Sequence, residues 1–244
     1  MSAASGTPVV LVVEHETRCG LGRLDPLPGC AARSVSPYLG EPLPDDLAGI
    51  EGLMVLGGSM AAWDDEGAPW LPQVRSLLRQ AVQEDVPTLG VCLGAQLLAL
   101  AAGGQVGPGQ NGPELGLLPV QRNEAGRADP LLGALDEEFL VPQAHYDEVQ
   151  VLPEGGQVLA SSALYRHQAF RLGSNAWGVQ YHPEVTTADF AVWMAQDAPA
   201  LADQGRTAEQ VVAQVRSAQA LVDATARAHA AAFAALVHRA AGRP

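Results

Sequence analysis

The 244-residue sequence contains no lysine. That removes two chemistries at once. A Walker A loop needs a lysine at the nucleotide phosphates, and a Schiff-base enzyme needs one to form its imine. No other device for ATP is visible. Cysteine is scarce: Cys19, Cys30 and Cys92 do not make a disulfide framework, and none pairs with a histidine at zinc spacing. Neither a metal nor a cofactor is expected. A free thiol suits a reducing cytosol, and a cytoplasmic protein is the expectation. Long apolar runs are missing too. Val9–Val13 is too short for a signal or a span, and no basic region precedes it. Positive charge is short, giving a net charge of −13. Nucleic acid and anionic membrane surfaces are therefore disfavoured as partners.

What the chain does have is apolar content, 48% of residues, enough for a sizeable core. It also has one unusual stretch, Pro87-Thr88-Leu89-Gly90-Val91-Cys92-Leu93-Gly94-Ala95-Gln96. An apolar run meets a cysteine between two glycines, and a helix-forming run follows. This predicts strand, tight turn and helix, parallel to the Gly-x-Ser-x-Gly nucleophile elbow. Gly90 and Gly94 let the chain close around the turn, and Cys92 stands at its apex. There the free N–H groups and the helix dipole stabilise a thiolate. The N–H of Leu93 points the same way and can serve a developing oxyanion.

A cysteine nucleophile needs a base, and the base needs an orienting partner. Trp177-Gly178-Val179-Gln180-Tyr181-His182-Pro183-Glu184 supplies both. An alternating strand is expected to end at His182, and Pro183 stops the ladder. Glu184 returns to the side of His182, where it can accept the Nδ1–H and leave Nε2 facing the thiol. His145 lacks such a neighbour and ranks below His182 as the base.

These two motifs, in this order and ninety residues apart, resemble the class I glutamine amidotransferases, a family with a Cys-His-Glu triad. The resemblance covers roughly residues 8 to 186. It implies an α/β three-layer sandwich of flavodoxin-like type, with a mostly parallel central sheet and the site at the carboxyl ends of the strands. It implies catalytic Cys92, His182 and Glu184. It makes the turn Gly57-Gly58 the second half of an oxyanion hole, with Gly58 the donor beside Leu93. It also implies that Gln96 and the loop His145-Tyr146-Asp147 hold the substrate, with Gly57 close by. Tyr146 departs from the glycine common at its position. The implied activity is hydrolysis of the glutamine side-chain amide through a γ-glutamyl thioester, the ammonia passing to a separate acceptor enzyme. A γ-glutamyl amine or peptide hydrolase with the same triad is the first rival. A non-catalytic regulatory module is the second.

The remaining chain reads as a single domain with an extension: residues 1–186 carry the amidotransferase pattern and 187–244 a helical extension packed on it. Strands are expected at 8–13, 53–56, 115–121, 157–160 and 168–172. Leu71, Val74, Leu77, Leu78, Ala81 and Val82 mark one face of a helix, and 93–102 the elbow helix. Beyond 187, Thr207 and Gln210 form a capping-box pattern that opens one long helix. Its apolar face has two readings, a cover on the sheet or an oligomer or partner surface.

Overall fold

The structure, a computed structural model, describes residues 6–242. Its strands are β1 (Val9–Val13), β2 (Ala31–Val35), β3 (Gly52–Val55), β4 (Thr88–Val91), β5 (Gln105–Pro108), β6 (Glu114–Arg122), β7 (Glu138–His145), β8 (Asp147–Val151), β9 (Gln157–Ser161), β10 (Ala169–Leu172) and β11 (Ala176–Val179). The α-helices are α1 (Leu71–Gln83), α2 (Leu93–Ala101), α3 (Glu124–Ala128), α4 (Thr187–Gln196), α5 (Ala198–Asp203), α6 (Ala208–Ser217) and α7 (Gln219–Ala240).

Nine strands form one large sheet in the order β2-β1-β3-β4-β11-β10-β9-β6-β7. From β2 through β11 every pairing is parallel. Beyond β11 the sheet continues as antiparallel strands. The parallel strands β3, β4 and β11 are buried along their whole length, so both faces must be apolar and the sequence runs without alternation. β5 and β8 pair in a small separate sheet.

Helices α1 and α2 cover one face of the sheet, with Leu71, Val74, Leu77 and Leu78 packed against Leu53, Val55 and Phe170. α7 covers the other face through Ala226, Ala230, Phe233 and Val237, which meet Val10, Met54 and Tyr181. This gives the expected three layers, and it makes the apolar face of the last helix a cover on the sheet. α7 is long and apolar enough to cross a membrane, but half of its most apolar window is buried within the protein.

The single long helix expected after Thr207 is two. The capping box is present: Thr207 Oγ1 accepts from Gln210 N–H, and Gln210 Oε1 accepts from Thr207 N–H. The helix then breaks at Ala218. The two pieces serve different cores. Val211, Val212 and Val215 of α6 join Phe190, Met194 and Leu201 in a satellite cluster, whereas α7 lies on the main sheet. One straight rod cannot reach both.

Candidate active site

The site is built where β4 and β11 end side by side. Their register pairs Gly90 with Gly178 and Val91 with Val179. The next residue of β4 is Cys92, whose N–H donates to Val179 O at 2.8 Å. Cys92 has φ 50° and ψ −106° and forms the N-cap of α2. A positive φ is strained for a residue with a side chain, at a cost of order 1–3 kcal/mol. The surroundings enforce it. A Cβ at Gly90 would lie 2.5 Å from the Gly94 carbonyl, and one at Gly94 would lie 1.9 Å from the Val55 carbonyl oxygen. Only glycine at both positions lets α2 start this close to β4 and β3.

β11 ends at Val179, three residues before the expected end at His182. Gln180 N–H turns to Gln168 O and His182 N–H to Pro142 O, each at 2.9 Å. His182 is thereby tied to β7 as well as to its own strand. Its Nδ1 is 2.7 Å from Glu184 Oε1, and both side chains are buried. Arg23 fixes the following backbone: its N–H donates to Glu184 O at 2.7 Å, and its guanidinium donates to Val185 O at 2.7 Å and pairs with Asp223 of α7. Trp193 of α4 packs edge-on against the imidazole, with ring centroids 4.9 Å apart.

Burial alone would lower the affinity of His182 for a proton. The Glu184 carboxylate and the Cys92 side chain outweigh it, and the imidazole is held well above its usual range. Cys92 stands within interaction range of the ring, but Nε2 has no aligned hydrogen-bond partner among the described residues. Catalytic hydrogen bonds are often long before substrate arrives. Gly57 lies between the two: a Cβ there would be 3.1 Å from His182 Cε1 and 3.7 Å from Cys92 Cβ.

Gly58, Cys92, Gln96, Tyr146, Asp147 and His182 line a single cleft of about 210 Å³. Gly58 is tightly enclosed, since a side chain there would strike Met60, His15 and Leu93. Leu93 opens α2, so its N–H has no intrahelical acceptor. Gln96 donates from Nε2 to Asp147 O and to Gln180 Oε1, each at 3.2 Å. Tyr146 is half-exposed, and its hydroxyl donates to Asp197 Oδ1 at 2.6 Å. Burial raises the Asp147 carboxyl, opposed by His145.

His145 lies in the same cleft but is committed elsewhere. Nε2 is 3.0 Å from Glu114 Oε2 and Nδ1 is 3.0 Å from Asp147 O. It holds the Asp147 carbonyl that Gln96 meets, and both of its ring nitrogens are used. Sequence reasoning missed Glu16, Cys19, Trp193 and Asp197, which also line the cleft. Cys19 donates to Glu16 Oε1 at 3.3 Å, and burial followed by the Glu16 charge pushes its thiol up, away from reactivity. Trp193 and Asp197 come from α4 and its C-cap, whose helical spacing gave no sign of a site.

A strained cysteine at a strand-to-helix turn lies beside a carboxylate-oriented histidine at the carboxyl ends of parallel strands, the place where open α/β sheets carry their sites. Residues 39–197 match the family described as glutamine amidotransferase class-I, and the chain belongs to that family. It is 42% identical over 102 residues to the glutamine-hydrolysing GMP synthase subunit of Natronomonas pharaonis, an alignment covering 41% of this chain and 54% of that protein. It is 31% identical over 142 residues to gamma-glutamyl peptidase 4 of Arabidopsis thaliana, covering 57% and 55%. The chain thus spans about half the length of these two relatives. Among solved structures, a glutamine amido transferase from Methylobacillus flagellatus superimposes with a TM-score of 0.83 at 26% identity, covering 94% of each chain. A glutamine amidotransferase from Thermotoga maritima superimposes with a TM-score of 0.81 at 23% identity, covering 97% and 99%; at that identity the likeness is one of fold.

Proposed function

We propose that the protein hydrolyses the side-chain amide of glutamine, with Cys92 as nucleophile, His182 as acid and base, and Glu184 as the orienting carboxylate. The observation that carries this reading is the Glu184–His182 pair at 2.7 Å, facing a cysteine held at positive φ. Cys92 Sγ attacks the amide carbon, and the N–H groups of Leu93 and Gly58 receive the oxyanion. One such donor contributes roughly 2.7–4 kcal/mol to the transition state. His182 gives its proton to the departing nitrogen, and ammonia leaves a γ-glutamyl thioester. Water, deprotonated by the same imidazole, then releases glutamate. Gln96, Tyr146 and Asp147, with Gly57 beside the reacting carbon, hold the glutamyl portion.

The similarity to the glutamine-hydrolysing part of a GMP synthase supports a separate synthetase as the ammonia acceptor. The chemistry needs no metal or cofactor and suits a reducing cytoplasm. Residues 1–186 form the catalytic domain in this reading, with 187–244 as a helical extension that lends Trp193 to the site. The γ-glutamyl peptidase likeness favours a second reading, in which the leaving group is an amine or peptide rather than ammonia. Both share one test. Wild type incubated with glutamine should release glutamate, and Cys92→Ala should not; equal release from the two would overturn the triad assignment.

A further inference from the structure

The cleft that holds Cys92 has carboxylates at its rim and neither arginine nor lysine to balance them; the His182 imidazole, held well above its usual range, is already paired with Glu184. Glu16, Asp147 and Asp197 line it, and no arginine does; the chain has no lysine. None of the three carboxylates is paired with a cation among the described residues. Glu16 accepts from Cys19 and Ser59, Asp197 accepts from Tyr146, and the Asp147 side chain accepts from none of them. Inside the cleft, His182 Nε2 is a buried polar atom with no aligned partner among the described residues.

The acidic wall does not stop at this cleft. Glu16 also lines an adjoining hollow of about 340 Å³, together with Glu14, Glu184 and Asp189. The one arginine there, Arg18, is engaged with Asp189 at 3.0 Å. Glu184 Oε2 is buried without a partner among the described residues, while its Oε1 holds His182. Two hollows therefore meet at Glu16, one holding the nucleophile and the other lined by Glu14 as well, and neither of these two carboxylates is paired with a cation among the described residues.

Glutamine does not account for this charge. It carries one ammonium and one carboxylate, so it brings no net positive charge to the rim. We propose that the preferred substrate is a γ-glutamyl amide whose nitrogen substituent carries a positive charge, such as one made from a diamine. The glutamyl end lies at Gln96 and Asp147, and the cationic arm passes Glu16 toward the second hollow. This rests on the γ-glutamyl reading above and names its leaving group. The bonds balance: Cys92 Sγ bonds to the amide carbon, the carbon–nitrogen bond breaks, and His182 protonates the departing amine. Water then cleaves the thioester to give glutamate, and the sum is amide plus water to glutamate plus amine.

The test compares three γ-glutamyl amides of similar length: of 1,4-diaminobutane (cationic), of n-pentylamine (neutral) and of 4-aminobutyrate (anionic). Glutamine is the reference. An exposed ion pair contributes only a few-fold, and Glu16 and Asp197, the two carboxylates left free by the glutamyl end, should together give about a fivefold preference in kcat/KM for the cationic amide over the neutral one. The anionic amide should be the poorest. The preference should shrink as salt is raised, and Glu16→Gln should lower the cationic-to-neutral ratio. Calorimetric binding of the three amides to Cys92→Ala should give the same order without turnover. Equal kcat/KM for the cationic and neutral amides, or a preference for the anionic one, would overturn the proposal while the amidohydrolase reading stands. So would cleavage of glutamine with refusal of all three amides. Cleavage of none of the four compounds, with no binding to Cys92→Ala, would remove the γ-glutamyl reading and this proposal with it.

Discussion

Gly94→Ala is the sharpest perturbation of the elbow, because it adds one methyl group and touches no reacting atom. The added Cβ would sit 1.9 Å from the Val55 carbonyl oxygen and 2.7 Å from its carbon. Real Cβ contacts essentially never fall below 3.0 Å, so α2 and β3 must part by about 1 Å. The obstructing atom is backbone in a buried strand, with no side chain to swing aside. Overpacking of this kind costs about 1–3 kcal/mol, and the backbone obstruction puts it near the top, at about 3 kcal/mol. For a chain of this size that lowers Tm by about 6–12 °C. Because α2 carries Leu93 and is capped by Cys92, a shift of about 1 Å should also cost about 100-fold in kcat/KM for glutamate release. Urea unfolding and a glutaminase assay on one preparation measure both. Gly20→Ala is the stability control, since its Cβ would meet nothing closer than the Glu14 carboxylate at 3.5 Å; it should stay within about 0.5 kcal/mol of wild type. A Gly94→Ala protein with wild-type Tm and turnover would refute the close-packing account of the elbow.

Two further substitutions probe the charges. Glu184→Gln keeps the shape but removes the charge that holds the His182 proton, so kcat/KM should fall by about 10²–10⁴ and its alkaline limb should move to lower pH. The sign for stability follows from a folded-state pKa above the unfolded 6.5: the contribution is full below pH 6.5 and lost as pH rises through the folded value. Wild type should therefore lose stability on the alkaline side more steeply than Glu184→Gln. His229 is the opposite case. It is wholly buried against Tyr181, and burial lowers it to about 4. Its contribution is present above 6.5 and lost as pH falls toward 4, amounting to about 3 kcal/mol. His229→Gln should flatten the loss of urea stability between pH 7 and pH 5; an unchanged slope would show that acid sensitivity arises elsewhere.

The elbow and the His-Pro-Glu turn could be read from sequence because each is local. Two glycines around Cys92, and a proline between His182 and Glu184, leave the backbone few alternatives. In the parallel half of the sheet β1, β3 and β4 were legible as apolar runs, whereas the edge strand β2, Ala31–Val35, is exposed and carries no such run. What escaped was set by distance along the chain. His145 ranks below His182 as a base on sequence alone, but its partner Glu114 lies 31 residues away and no local pattern announces it. Trp193 reads as one more apolar position of a helix, and only the packing of α4 brings it to His182. The break at Ala218 has no glycine or proline to announce it; it exists because two cores compete for one stretch of helix. The carboxylates Glu16 and Asp197 come from opposite ends of the sequence, and no spacing rule connects them.

The register that pairs Val91 with Val179 also separates what this architecture can vary from what it cannot. The nucleophile follows that ladder directly and its base lies three residues beyond it, held also by Pro142 of β7, so much of the ninety-residue stretch between them is a detour that returns to a fixed address. Loops within that detour can lengthen or shorten, and the thiol and imidazole will still arrive side by side provided Pro142 and Gln168 keep their places. A slip of a single rung between the two strands would part them, with every side chain of the site still present.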